Sequence, residues 1–259
     1  MAVNLLAINV GNTRSQFAAV VDGQLHEVHH VGHDHAGALA DELGRAFSVL
    51  EGADDAPVYL ASVNHAAAEQ VEAGITRALG QPVRRVERDV NVPIGRQLDP
   101  ETIVGVDRLL NAAAAFDQLQ QACIVVDAGT AVTIDFVDGR GTFHGGAILP
   151  GGRMMLRALH QYTDQLPEVA FAQPHDAIGH STGEAMLSGV FHGLRGAVRE
   201  LAEKYAETYG AYPQVIATGG DADLLFEGYE LVEAIVPTLT LRGLAVTRRY
   251  EIDHAGDGP

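Results

Sequence analysis

Two stretches of this chain, 118 positions apart, carry the same pattern. INVGNTRSQFAAV (8–20) runs an apolar strand into a glycine turn and out along a second apolar strand, and CIVVDAGTAVTIDFV (123–137) does so again. Aligning the turns sets Asn9 against Asp127 and Gly11 against Gly129, an offset close to half of the 259 residues. A repeat on this scale means one supersecondary unit used twice, so the chain is expected to be two related lobes.

The elements downstream of each copy fix the class. The first half reads as strands 3–10, 15–21 and 24–31, separated by GNTR and DG, which predicts a three-stranded antiparallel meander. Helix 35–50, strand 57–62, helix 65–79, a short strand near 82–87 and helix 106–121 come next. In the second half a third strand at 140–149 succeeds the hairpin. Helices 151–163 and 181–209, strand 214–220 and a final helix 238–250 complete it. Strands and then helix–strand alternation, twice over, predict a duplicated α/β fold with a mixed sheet in each lobe. The expected lobes are 1–118 and 119–250, with a flexible tail at 251–259 and the two glycine turns facing each other across a central cleft.

Both turns suit an anion. In the second, Gly129 permits close backbone approach, the Thr130 hydroxyl can reach a phosphate, and Asp127 can hold a cation at the strand end. Hairpins of this kind that hold a nucleotide usually carry an aspartate before the turn; the first copy has Asn9 there. ATGGDADLL (217–225) places Gly219 and Gly220 before a helix, either as a loop lying flat on a base or ribose or as a plain strand-to-helix connection. In VGVDRLLNAAAA (104–115), Asp107 and Arg108 sit at a helix start. They read as a favourable first-turn acid and a solvated charge, or as a general base and an anion clamp. HSTGEAMLSG (180–189) predicts an N-capped helix, with Ser181 or Thr182 as the cap.

Composition narrows the partners. A net charge of −17 argues against nucleic acid, whose phosphates need a basic face, although Arg84, Arg85 and Arg88 form a short basic cluster. It also means that an anionic substrate must be met by local donors. The single cysteine, Cys123, sits in the apolar run ACIVV and reads as core. His26, His29, His30, His33 and His35 lie in one surface-like stretch without the spacing of a metal site. No leader pattern and no bilayer-length apolar run is present, so a cytoplasmic protein without membrane contact is expected.

The ordered set VGNT, GVDR, DAGTAVT, GGAILPG, IGHSTGEAMLSG, ATGG and PTLTLRGL resembles the type III pantothenate kinases, in the acetate and sugar kinase/Hsp70/actin superfamily. It does so over nearly the whole chain. The resemblance implies a two-lobe ribonuclease H-like (actin-like ATPase) fold with mixed five-stranded sheets. It implies ATP-dependent phosphorylation of the primary hydroxyl of pantothenate, the first step towards coenzyme A. The family's phosphate-binding segment falls on Asn9, Val10, Gly11, Asn12, Thr13, Arg14, Ser15 and Gln16, with further ATP contacts at Thr130, Gly219 and Gly220. Its substrate-binding segment falls on Gly105, Val106, Asp107 and Arg108, with Asp107 as proton acceptor, and another pantothenate contact falls on Thr182. Asp127 takes the monovalent-cation position. A cytoplasmic homodimer using Mg2+ with ATP, and K+ or NH4+, is implied. The chain departs from the family at two places: Asn9 replaces an aspartate, and Leu98 stands where a substrate-contacting tyrosine belongs. A non-catalytic regulatory relative, or a superfamily kinase for another small hydroxylated substrate, would carry similar motifs.

Overall fold

The computed structural model describes residues 2–33, 36–53 and 56–255, and the side chains of 36–40 lie outside the description. The chain divides into two compact units, residues 1–95, 99–117 and 238–259 in the first, and 96–98 and 118–237 in the second.

In the first unit, β1 (Leu5–Val10) pairs antiparallel with β2 (Arg14–Val21), and β2 carries both β3 (Gln24–Leu25) and β4 (His29–Gly32). On its other side β1 runs parallel to β5 (Val58–Ser62), which pairs with β6 (Val83–Arg85). Period-two alternation decides which side chains face which layer. Leu6, Ile8 and Val10 join Phe17, Leu43, Ala46, Ala68, Val71 and Ile75 in one core, beneath α1 (Ala36–Ser48) and α2 (His65–Leu79). Asn64 caps α2 by accepting from the Ala67 N–H, and Gly80 ends it in the left-handed conformation.

The opposite side of β1 and β2 is covered by α7 (Leu239–Asp253). It packs closely on α3 (Val106–Leu119): a Cβ on Gly243 would stand 2.7 Å from the Leu110 carbonyl carbon. A buried Thr240 hydroxyl donates to Asn111 Oδ1 at 2.8 Å. Glu251, near the end of α7, accepts from the Tyr59 hydroxyl on β5, from Arg84 on β6 at 2.5 Å and from Arg248 at 2.9 Å. Burial, aided by the bond to Glu251, pushes the Tyr59 phenol up to about 12.

In the second unit, β8 (Cys123–Ala128) and β9 (Ala131–Val137) form the hairpin, and β10 (Thr142–Pro150) pairs with β9. β11 (Gln214–Thr218) runs parallel to β8, and β12 (Ala234–Ile235) to β11. The far edge carries β7 (Gly95–Arg96), and the Gln97 N–H donates to the Phe143 carbonyl at 3.0 Å. Helices α4 (Gly152–Gln161), α5 (Thr182–Tyr209) and α6 (Ala222–Phe226) complete the unit. Its core joins Ile124, Val126, Val132 and Ile134 from the sheet to Phe191, Leu194 and Val198 from α5. No helix among the described residues is long and apolar enough to cross a membrane.

The duplicated α/β architecture stands, with each mixed sheet built of six strands where five were expected. In the first unit the predicted strand 24–31 is broken between Leu25 and His29, and both pieces pair with β2. In the second, two-residue edge strands are too short to leave an alternation in the sequence. The division also differs. The final helix, placed with the second lobe, packs on the first sheet, because apolar Leu239, Leu241 and Leu244 need a face and β1 offers one. That helix continues through Asp253, into the segment expected to be a tail; residues 256–259 lie outside the described residues, as does His35.

Candidate functional site

In the second unit three backbone segments meet at the end of β8. The Gly129 N–H donates to the Ala131 carbonyl at 2.9 Å, closing a three-residue turn with Thr130 exposed at its tip. Gly151 lies against this turn: its N–H donates to the Thr130 carbonyl at 3.0 Å, and a Cβ there would stand 2.7 Å from that oxygen and closer still to the Gly129 carbonyl. From the other side comes Gly219, at φ +96°. A Cβ on it would stand 2.5 Å from Asp127 Oδ1 and 2.6 Å from the Ala128 carbonyl carbon. The Asp221 N–H then donates to the Ala128 carbonyl at 2.9 Å. Glycine is therefore required at Gly219 and Gly151 by space, and at Gly219 by conformation as well. Asp127, Gly129, Thr130, Gly219 and the exposed Gly220 are thus brought together at the end of β8.

One pair at this junction is not predicted from the sequence. Arg153, in the first turn of α4, sets Nη1 2.6 Å from both Oδ1 and Oδ2 of Asp221. The aspartate side chain is 3% exposed and the arginine side chain 65% exposed. The signal is present as charges of opposite sign directly after PGG and ATGG, but 68 residues of separation hide such a pairing.

The first unit repeats the arrangement around β1. Asn9 pairs with Gln16 on β2 and with Ala61 on β5, and Asp127 correspondingly pairs with Thr133 and Thr218. The turn differs in length. Four residues, 11–14, separate the paired Val10 and Ser15, and the Gly11 N–H donates to the Arg14 carbonyl at 3.1 Å. In both copies the first glycine amide is therefore spent inside the hairpin. An anion at either turn would meet donors further along, at exposed Asn12 and Thr13 or at Thr130. Arg14 is exposed and Ser15 buried, its hydroxyl 3.4 Å from His33 Nε2.

Asp107 is reached from the same end of β1. The loop after β5 is tied there by the Val63 N–H donating to the Val10 carbonyl at 3.3 Å and by the Ser62 hydroxyl donating to it at 3.2 Å. Gly105 abuts that loop, since a Cβ on it would stand 3.5 Å from Val63 Cγ1 and 2.7 Å from Asp107 Oδ1. Glycine thus lets the carboxylate fold back over the start of α3, where Oδ1 accepts the Arg108 N–H at 2.8 Å. Val106 is buried and Arg108 half-buried.

Leu98 and Thr182 both belong to the second unit, whereas Asp107 belongs to the first. Leu98 packs beside Gly145, at φ +84°, with Cδ2 3.3 Å from where its Cβ would be. Ser181 is the cap of α5: its hydroxyl accepts the Glu184 N–H at 3.2 Å, and Glu184 accepts from the Ser181 N–H at 3.0 Å. Backbone donation from His180 and Ser181 holds the Glu184 carboxyl below its usual range. Thr182, relieved of capping, stands exposed in the first turn.

Elsewhere the chemistry is structural. Burial pushes the Cys123 thiol up to about 12, so it stays protonated and inert. His29 stacks on Phe17 with centroids 5.4 Å apart and sets Nδ1 2.7 Å from Glu42. Among the described residues no group of three or more His, Cys, Asp or Glu side chains could hold a metal ion by itself.

The family model for type III pantothenate kinases matches residues 5–204. A type III pantothenate kinase of Rhodospirillum rubrum is 39% identical over 252 residues, covering 95% of this chain and 98% of the relative. That of Paramagnetospirillum magneticum is 37% identical, covering 95% and 96%. Among solved structures, the activator of the 2-hydroxyisocaproyl-CoA dehydratase from Clostridium difficile, with bound ADPNP, superposes with a TM-score of 0.55. Identity is 12%, over 99% of this chain and 98% of that one. A Campylobacter jejuni protein named for the Baf family of transcriptional activators does so with a TM-score of 0.62. There identity is 20%, over 96% and 100%. Both likenesses concern the fold.

Proposed function

This chain belongs to the type III pantothenate kinase family, and from that premise we propose that it transfers the terminal phosphoryl group of ATP to the primary hydroxyl of pantothenate, opening coenzyme A synthesis. The observation that carries the reading is the junction at Asp127–Thr130, where Gly151 and Gly219 bring three backbone segments together with no side chain between them. Close packing of these backbones gathers main-chain groups and the exposed Thr130 at the end of one strand, the kind of concave main-chain surface that suits a polyphosphate.

Phosphoryl transfer asks the protein for alignment and charge stabilisation more than for covalent chemistry. In this reading Thr130, Gly219 and Gly220 hold the nucleotide in the second unit, and the segment 9–16 offers further phosphate donors in the first. Asp107 accepts the proton of the attacking hydroxyl as the new P–O bond forms, its carboxylate oriented by the Arg108 N–H. Gly105, Val106 and Arg108 line the acceptor site, where the Arg108 guanidinium meets the pantothenate carboxylate. Leu98 and Thr182 are assigned to the same substrate. The apolar Leu98 offers packing where the family's tyrosine would offer a hydroxyl.

Asp127 fits a cation position: a half-buried carboxylate at a strand end, with Oδ1 set against a glycine that leaves room beside it. With no group of three or more His, Cys, Asp or Glu side chains placed to hold a metal among the described residues, the donor set suits cations shared with nucleotide phosphates better than a protein cage. Mg2+ and a monovalent cation, K+ or NH4+, would neutralise charge on the phosphates when bound. A cytoplasmic homodimer, with no nucleic acid or membrane as partner, completes the proposal.

The test is a coupled assay of ATP consumption with and without pantothenate, in K+ and in Na+, on the parent and on Asp107→Asn. Pantothenate-dependent turnover favoured by K+ and abolished in Asp107→Asn is the expected result. Turnover by Asp107→Asn at the parent rate refutes the base assignment, and ATP consumption indifferent to pantothenate refutes the substrate.

A further inference from the structure

The Arg153–Asp221 pair is built unlike an ordinary surface ion pair. Asp221 is almost wholly buried, its backbone N–H is fixed on the Ala128 carbonyl, and it comes directly after the Gly219–Gly220 loop. Arg153 stands two residues beyond Gly151, whose own N–H is fixed on the Thr130 carbonyl. The guanidinium is thus anchored from both sides to the turn 127–130. It is held in an unusual manner: Nη1 alone spans both aspartate oxygens, at 2.6 Å each, so the two-pronged face of the fork, Nη2 and Nε, is not what grips Asp221. A two-pronged Arg–carboxylate contact is frequent, and here Asp221 leaves Nη2 and Nε of Arg153 out of its grip.

We propose that Arg153 is a phosphate-gripping residue of the nucleotide site. Asp221 holds Nη1 of its guanidinium, and the exposed remainder donates to a phosphate of the bound nucleoside triphosphate. The inference rests on the nucleotide reading of the Asp127–Thr130 junction. In a chain of net charge −17, a tetra-anionic ligand needs a local cation, and among the described residues Arg153 is a guanidinium fastened to that turn through both neighbouring segments. Asp221 acts as a positioning residue: it removes rotamers from a long side chain before the ligand arrives, so less freedom is lost on binding.

Calorimetric titration of the full chain with ATP, adenosine and pantothenate separately tests this. The subjects are the parent, Arg153→Gln and Arg153→Lys, with thermal unfolding as the check on folding. Arg153→Gln is expected to weaken ATP roughly ten- to hundredfold. Adenosine and pantothenate should bind as they do to the parent, and Arg153→Lys should recover part of the ATP affinity. Equal weakening of ATP and adenosine overturns the proposal in favour of a brace for the Gly219 loop. Loss confined to pantothenate overturns it in favour of a clamp on that carboxylate. Unchanged ATP affinity in Arg153→Gln, in a parent that binds ATP, removes the grip alone. A parent that binds neither ATP nor adenosine removes the nucleotide reading and this inference together. If Arg153→Gln fails to fold, Arg153→Lys carries the test: one ammonium cannot serve both Asp221 and a phosphate, so ATP should weaken while adenosine does not, and ATP affinity equal to the parent's refutes the grip.

Discussion

Gly219→Ala is the substitution on which the nucleotide reading turns. At φ +96° an alanine leaves the regions open to L-residues, at about 1–3 kcal/mol. Its methyl would also stand 2.5 Å from Asp127 Oδ1 and 2.6 Å from the Ala128 carbonyl carbon, well inside contact distance. The loop must retreat by close to an ångström, and overpacking of this kind costs a further ~1–3 kcal/mol. The total, roughly 2–6 kcal/mol, is a large share of the ~5–15 kcal/mol that holds a folded domain, and the anchoring of Asp221 on Ala128 and Arg153 limits how far the loop can move to relieve it. The expected outcome is therefore a fall in melting temperature together with a loss of nucleotide affinity, roughly ten- to hundredfold if one or two phosphate-directed contacts are displaced. Gly228→Ala is the control: φ is +67° and nothing lies within 4 Å, so it should cost ~1 kcal/mol and leave ATP binding unchanged. Calorimetric ATP titration of both variants, beside their melting curves, separates the cases. If Gly219→Ala binds ATP as the parent does, the junction is not where the nucleotide sits.

Two further expectations concern single charges. Asn9→Asp restores a carboxylate at the strand end before the first turn, and the magnesium titration of activity should shift to lower concentration with pantothenate affinity unaltered. The shift corresponds to ~1–3 kcal/mol if the metal contact is direct, and an unmoved midpoint refutes the idea that Asn9 bears on the metal. Burial pushes the Glu251 carboxyl up, but hydrogen bonds from Arg84, Tyr59 and Arg248 outweigh it and hold the group below its usual range. A depressed carboxylate contributes stability that is full above its unfolded value, near 4.5, and is lost as pH falls through the folded one. Glu251→Gln should therefore lower stability at pH 7 by about 2–4 kcal/mol, a figure discounted for the 30% exposure of the side chain, and should flatten the acid limb of the unfolding profile. A variant with an unchanged acid limb would place the source of that limb elsewhere.

The parts of this molecule legible in the sequence are those governed by local rules. Apolar runs interrupted by glycine turns exposed β1, β8 and β9, whereas the backbone contacts made at Gly151 and Gly219 took the geometry. The capping box of α5 was legible as Ser181 and Glu184 three residues apart, though the choice between Ser181 and Thr182 took the geometry. What stayed hidden depends on partners distant along the chain. Nothing local tells α7 which sheet to cover, because its apolar face would suit either. Nothing local joins Arg153 to Asp221 or Glu251 to Tyr59, which is 192 residues away. The fates of the Gly11 and Gly129 amides were equally invisible: the motif says that a donor is present, not that the hairpin has already used it.

The placement of α7 bears on how the protein is made. Apart from residues 96–98, the second unit is one continuous run, 118–237, and all of its core strands and helices leave the ribosome in succession. The first unit opens with β1 at residue 5, yet the helix that shields the far side of that strand is made only after the second unit's continuous run. Translation thus leaves Leu5 and Ala7 bare on that side until α7 has been made, so the first-made sheet closes only after the whole second unit has been synthesised.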